Sequence, residues 1–186
     1  MQFQKKQIGI GLFLVGILVF LFTPLGFMVR VQMSKLLSSS AAIIKTEMQT
    51  PLDTYQWLLV DQAGNDFNFE RKRGEVILIN FWATWCPPCV AEMPSLQKLY
   101  DDYGDRVAFM FVAKDNSKRV TDFLIKKGYT IPVYYTKTKN PDVLTSKALP
   151  TTYIISREGR IIVAEIGATD WNSQKIRSLL EELLKE

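Results

Sequence analysis

NFWATWCPPC, residues 80–89, carries both cysteines of a 186-residue chain that has no histidine. Upstream, the stretch belongs to EVILINFWA (Glu75–Ala83), a continuous apolar run of the kind found in strands buried on both faces. Downstream, Val90, Met93, Leu96, Leu99, Tyr100 and Tyr103 recur at helical spacing, and Gly104 ends the pattern. The two thiols therefore sit where a buried strand hands over to a helix. Free N–H groups and partial positive charge at a helix start favour thiolate, the nucleophilic form of cysteine. Cys89 lies one turn beyond Cys86, on the same face and within disulfide reach. Pro87 and Pro88 are tolerated because first-turn amides have no helical partner. They leave the amides of Cys89 and Val90 as donors to the Cys86 sulfur. The pair can attack a disulfide, form a mixed disulfide and be released by its neighbour.

Other uses of two cysteines fit less well. A structural zinc ion needs four ligands, and the chain has neither histidine nor a second cysteine pair, so no metal site is expected. Copper delivery would rest on Met93 alone. A purely structural staple three residues long constrains the unfolded chain little. No flavin or nicotinamide motif is present, so no cofactor is expected and electrons must come from a partner.

Outside this junction the pattern alternates between strands and helices. Gln56–Val60 and Asp66–Glu70 flank a turn at residues 62–65 and read as a hairpin. Val107–Ala113 reads as a second central strand. A helix capped by Ser117 and closed by Gly128 follows, then a short extended piece at Ile131–Thr136. Thr152–Ile155 and Ile161–Ile166 form a closing hairpin, and Asn172–Lys185 a last amphipathic helix. The sum is an α/β sandwich around a mixed sheet. Trp82 is expected in the core, and Trp85 shields the first sulfur and offers an apolar contact surface. Trp57 and Trp171 are undecided.

The net charge of +4 argues against a nucleic-acid binder, because it sits in the wrong place. Residues 1–50 hold Lys5, Lys6, Arg30, Lys35 and Lys45 against Glu47, and the remaining eighteen basic and eighteen acidic residues cancel. The excess flanks IGIGLFLVGILVFLFTPLGFMV (Ile8–Val29), 22 residues without a charge. That length can cross a hydrocarbon core of about 30 Å as one helix, with Pro24 and Gly26 bending its far end. Lys5 and Lys6 ahead of it suit a cytoplasmic amino terminus, although Arg30 and Lys35 blunt the asymmetry. The run exceeds a typical cleaved leader of 7–15 apolar residues, which favours an anchor. The layout expected is a cytoplasmic start (1–7), a transmembrane anchor (8–29), a linker (30–52) and a folded domain (53–186).

NFWATWCPPC, followed by Glu92 and Pro94 and later by ALPTTYII, resembles the thioredoxin superfamily, and within it the TlpA/ResA-like membrane-anchored thiol-disulfide oxidoreductases. The resemblance covers about Asp53–Glu186. It implies a thioredoxin-like three-layer sandwich with an added N-terminal β-hairpin and a central insertion at roughly Lys114–Lys147, preceded by one transmembrane helix. It implies that Cys86 is the exposed nucleophile, Cys89 the buried resolving thiol and Cys86–Cys89 a redox disulfide. Pro94 matches the proline that kinks the active-site helix. Trp85, Pro87, Leu149 and Pro150 are then the substrate-binding surface, with Pro150 in the cis state. On the residues alone Pro150 reads as a proline starting a strand. Asn80 departs from the buried aspartate of thioredoxins and cannot titrate. Glu92 matches the active-site glutamate of the ResA-like branch; by spacing alone it could equally be a solvated helix residue. The partners implied are cysteine-containing proteins outside the cytoplasm, apocytochrome c among them, a membrane thiol-electron carrier and the bilayer. An oxidant or isomerase of the same fold, or a redox-inert chaperone-like module using the Leu149–Pro150 groove, is the alternative.

Overall fold

The computed structural model describes residues 2–186, with side chains at Ile10, Gly11 and from Phe13 onward. Met1 and the side chains of Lys5 and Lys6, on which the reading of the charge flank rests, lie outside the described residues. The strand of the opening stretch, β3 (Ile77–Trp82), has all six side chains buried. It lies between parallel β4 (Ala108–Ala113) and antiparallel β6 (Thr151–Ile155), with Ile79 opposite Met110 on one side and Tyr153 on the other. β1 (Leu58–Asp61), β2 (Asp66–Asn68), β5 (Val133–Thr136) and β7 (Ile161–Ile166) complete a seven-stranded mixed sheet in the order β2-β1-β5-β4-β3-β6-β7.

The chain passes from β3 through α3 (Pro87–Tyr103) to β4, then through α4 (Ser117–Lys127) to β5. Both steps run the same way across the sheet. Right-handed crossovers taken in one direction lay both helices on one face. The C-terminal helix α5 (Gln174–Leu183) joins them there, and Met93, Leu96, Val120, Leu124, Ile176 and Leu180 share one core with Leu78, Phe111 and Val163. The opposite face carries a second core in which Ile77, Ile79, Phe81 and Met110 are covered by Tyr55, Trp57, Phe69 and Leu144. None of the three domain helices α3, α4 and α5 contributes to that core, so the three layers are one of helices, the sheet, and one of irregular chain. The region expected as an insertion supplies α4 and β5, and β5 bridges β1 to β4 inside the sheet. The cap of α4 is Asn116, whose side chain accepts from the Lys118 and Arg119 amides, one residue before the expected Ser117.

Residues 8–29 do not form one straight helix. α1 (Gln2–Phe22) ends before Thr23, and α2 (Pro24–Leu36) leaves at 77° to the segment Phe13–Phe22. Proline lacks the N–H that would continue the ladder and its ring clashes with the carbonyl four residues back. Among the described residues no single helix is long and apolar enough to cross a membrane; the bent pair has the length and composition only together. Beyond α2, residues 39–52 run beside the edge strand β7. Ile44 donates to the Ile162 carbonyl (2.9 Å), Ile161 to Thr50 (2.9 Å) and Leu52 to Gly159 (2.8 Å), while Ala41 is fully buried. The segment expected as a linker thus covers the open edge of the sheet, which would otherwise invite pairing with other chains.

Candidate functional site

β3 ends at Trp82, and the turn Ala83–Trp85 delivers Cys86 to the N-cap of α3. Asp115, just after β4, holds this turn: its carboxylate accepts from the Thr84 amide at 3.1 Å and from the Thr84 hydroxyl. Arg119 in turn pairs with Asp115 at 2.9 Å. The Cys86 sulfur accepts from the Cys89 amide at 3.3 Å. The other expected donor, Val90, bonds the Cys86 carbonyl instead, at 3.1 Å, as the first intrahelical bond of α3. Pro87 and Pro88 occupy the first positions of the helix, where they leave no vacancy. Cys86 and Cys89 are joined in a disulfide, with Cα atoms 5.3 Å apart. Cys86 keeps 4% of its surface accessible and Cys89 none, so the first sulfur is the more accessible one but is far from exposed. Trp85 beside it is 58% exposed. Trp82, pointing the other way, is fully buried against Phe123.

The register of β3 with β6 sets Phe81 opposite Thr151. Leu149 and Pro150 therefore enter the sheet at the same end at which the chain leaves β3 for the cysteines. The Leu149–Pro150 bond is cis, and the Pro150 carbonyl accepts from Gly167 at 3.0 Å. Pro150 is buried; Leu149 is half-buried and packs against both cores. Trp85, Pro87, Leu149 and Pro150 are thus brought to one end of the sheet by β3, α3 and β6.

Glu92 is no solvated helix residue. It lies three residues after Cys89 on the same helical face, and 2% of it is exposed. Its Oε1 accepts from Asn80 Nδ2 at 2.8 Å; its Oε2 accepts from Trp171 Nε1 at 2.9 Å and from the Thr169 amide at 3.3 Å. Burial drives its pKa up to about 8, and the three donors, Trp171 foremost, offset only part of that rise. Asn80, on β3, also donates to Thr152 Oγ1 at 2.8 Å, which leaves its own buried Oδ1 without a partner. A cleft of about 400 Å³ opens over this carboxyl between α2, α3 and the segment after β7, with Lys35, Lys98 and Asp170 among its walls. The sequence marks Glu92 through the resemblance and Asn80 as a residue that cannot titrate, but does not reveal the contacts of Glu92 with Trp171 and Thr169 or of Asn80 with Thr152. An indole late in the chain carries no local signal of a bond to a carboxylate 79 residues earlier.

The model of the Redoxin family matches residues 45–183, about three quarters of the chain. The protein is a member of the redoxin family. Within it, this redoxin is 33% identical over 109 residues to the thioredoxin-like protein YneN of Bacillus subtilis, covering 56% of this chain and 64% of that one, just under two thirds of its length. It is 29% identical over 133 residues to the thiol-disulfide oxidoreductase ResA of Halalkalibacterium halodurans, covering 70% of this chain and 74% of the relative. Its backbone matches a DsbF homologue from Corynebacterium diphtheriae with a TM-score of 0.61 at 16% identity, over 77% of this chain and 93% of the other, a likeness of fold. The redoxin is TlpA/ResA-like in its mixed thioredoxin-like sheet.

Proposed function

We propose that this redoxin is a thiol-disulfide oxidoreductase of the cell envelope, anchored by its N-terminal helices and reducing disulfides in proteins outside the cytoplasm. The observation that carries the reading is the Cys86–Cys89 disulfide at the start of α3, with Cys86 the more accessible of two buried cysteines and next to exposed Trp85, and Cys89 sealed inside. In the reduced state the Cys86 thiolate attacks a substrate disulfide. One sulfur leaves, and a mixed disulfide forms. Cys89, losing its proton, attacks Cys86 and frees the second substrate thiol, so two electrons pass to the substrate. Glu92 is the group placed to take that proton in its carboxylate form, whose share grows as pH rises toward 8, since Asn80 cannot titrate and the chain has no histidine. An extended substrate segment lies across Trp85, Pro87, Leu149 and Pro150 by strand addition. The chain has no third cysteine, so a membrane thiol-electron carrier renews the dithiol. Cysteine-containing substrates such as apocytochrome c fit a ResA-like redoxin.

The test is insulin reduction with the full chain. Cys86→Ser abolishes it, and Cys89→Ser accumulates mixed disulfides with substrate. Full activity in the double variant overturns the enzyme reading. Labelling of Cys86 by an impermeant thiol reagent added outside the inner membrane tests the location.

A further inference from the structure

The corner between α1 and α2 is built rather than merely broken. The Phe20 carbonyl, four residues before Pro24, loses its helical donor to the proline. Arg30 takes it over, its guanidinium donating to the carbonyls of Phe20 (2.6 Å) and Leu21 (3.0 Å) while lying 5.5 Å from the Phe20 ring centroid. Thr23 caps α2 by accepting from the Gly26 amide at 3.1 Å. Gly26 faces the same carbonyl so closely that an added Cβ would stand 2.1 Å from the Phe20 oxygen. A glycine, a capping threonine, a proline and an arginine thus hold one angle.

α2 has two unlike faces. Phe27 and Val31 pack against Val90 and Ala91 of α3, with Phe123 and Ala168 alongside. Val90 and Ala91 directly follow Cys89, so α2 lies against the helix that carries the dithiol. Leu25, Val29, Met33 and Leu36 fall on the opposite side at helical spacing and are 42–86% exposed. No residue separates this apolar face from α1 except Thr23.

We infer that α2 is an interfacial helix: its exposed face of Leu25, Val29, Met33 and Leu36 rests on the phospholipid surface, and its other face holds the active-site helix α3 above it. This rests on the anchoring of α1 in the bilayer, proposed above. With the segment Phe13–Phe22 of α1 set into the bilayer along its normal, α2, inclined 77° to it, lies near the membrane plane. It begins one residue after α1 ends, so it starts at the surface with no slack. The folded domain occupies one side of it, and lipid is the apolar phase left for the other. The helix is about 20 Å long and about 10–12 Å across, which places α3 about one helix diameter above the acyl boundary. Partners of the dithiol must then present their sulfur close to the membrane.

The experiment uses the full chain in vesicles of zwitterionic and anionic phospholipid. In a Cys86→Ser, Cys89→Ser background, single nitroxide labels are set at Phe13→Cys, Met33→Cys, Leu36→Cys and, as the water-facing reference on α4, Ile125→Cys. Collisions with oxygen and with a water-soluble nickel complex are measured by electron paramagnetic resonance. The expected result is a preference for oxygen at positions 13, 33 and 36 that is severalfold that at 125. Lipid contact at 13 with water contact at 33 and 36 overturns the inference and leaves the anchor standing. Water contact at 13 sinks the anchor and the inference together. Loss of both collision partners at 33 and 36 with spin–spin broadening means a second copy covers the face, which also overturns it.

Discussion

Replacing Glu92 by glutamine should stabilise this redoxin at neutral pH. The folded carboxyl titrates at about 8 against an ordinary 4.5, so the native state holds a proton that the unfolded chain gives up. Below pH 4.5 both states are protonated and the residue costs nothing. As pH rises through the window up to 8, the unfolded chain ionises first and native stability falls, by about 1.4 kcal/mol per unit. The loss reaches roughly 3 kcal/mol at pH 7 and levels off near 5 kcal/mol above pH 9. Glutamine removes this slope. Its carbonyl can accept from Trp171 and Thr169, and its amide can donate to the Asn80 oxygen that now has no partner once that side chain turns over. Urea unfolding of the oxidised protein across pH 4–9 measures it: the variant should match wild type near pH 4 and exceed it by about 3 kcal/mol at pH 7. Parallel curves for the two proteins would refute the picture of a buried, titrating carboxyl. Activity should move the other way: release of the mixed disulfide slows most at the alkaline end, where the carboxylate proposed as proton acceptor for Cys89 is most populated in wild type.

Trp171→Phe removes the foremost donor to the carboxylate; the Glu92 pKa should rise above its present value, seen as an alkaline shift in the pH profile of stopped-flow thiol exchange. Asn80→Asp sets a second carboxyl in contact with Glu92, two charges that cannot both form at close range. Its stability should fall more steeply than that of wild type above pH 7, read from the urea midpoint. Leu180→Ala, at a fully buried position on the inner face of α5, should cost about 2–5 kcal/mol in the same assay without altering exchange rates per folded molecule.

The parts legible in the sequence were those that rest on short-range regularities. The uninterrupted run Ile77–Trp82, the capping glycine at 128 and the helical stripe of Ile176, Leu179, Leu180 and Leu183 each state their element locally. The cysteine pair was equally plain, because strand, turn and helix follow within ten residues. What escaped depends on register and topology. That α3 and α4 share a face follows from the strand order, which Ile131–Thr136 alone does not reveal. Whether Glu92 points inward is decided by Trp171 and Thr169, brought over it by the segment after β7. The break at Pro24 was visible, but the size of the turn is set by Arg30 reaching back ten residues.

Residues 38–52 carry a mechanical consequence. A free chain of about 15 residues would let a domain wander some 20 Å from its mooring. Here the same residues are stitched to β7, with Lys175 gripping the Ala41 carbonyl at 2.7 Å and the Glu165 carboxylate the Ala42 amide at 3.0 Å. The catalytic head is splinted to its stalk. With the anchoring proposed above, head and stalk move as one body, so meeting a partner becomes a search in two dimensions with the docking angle already chosen.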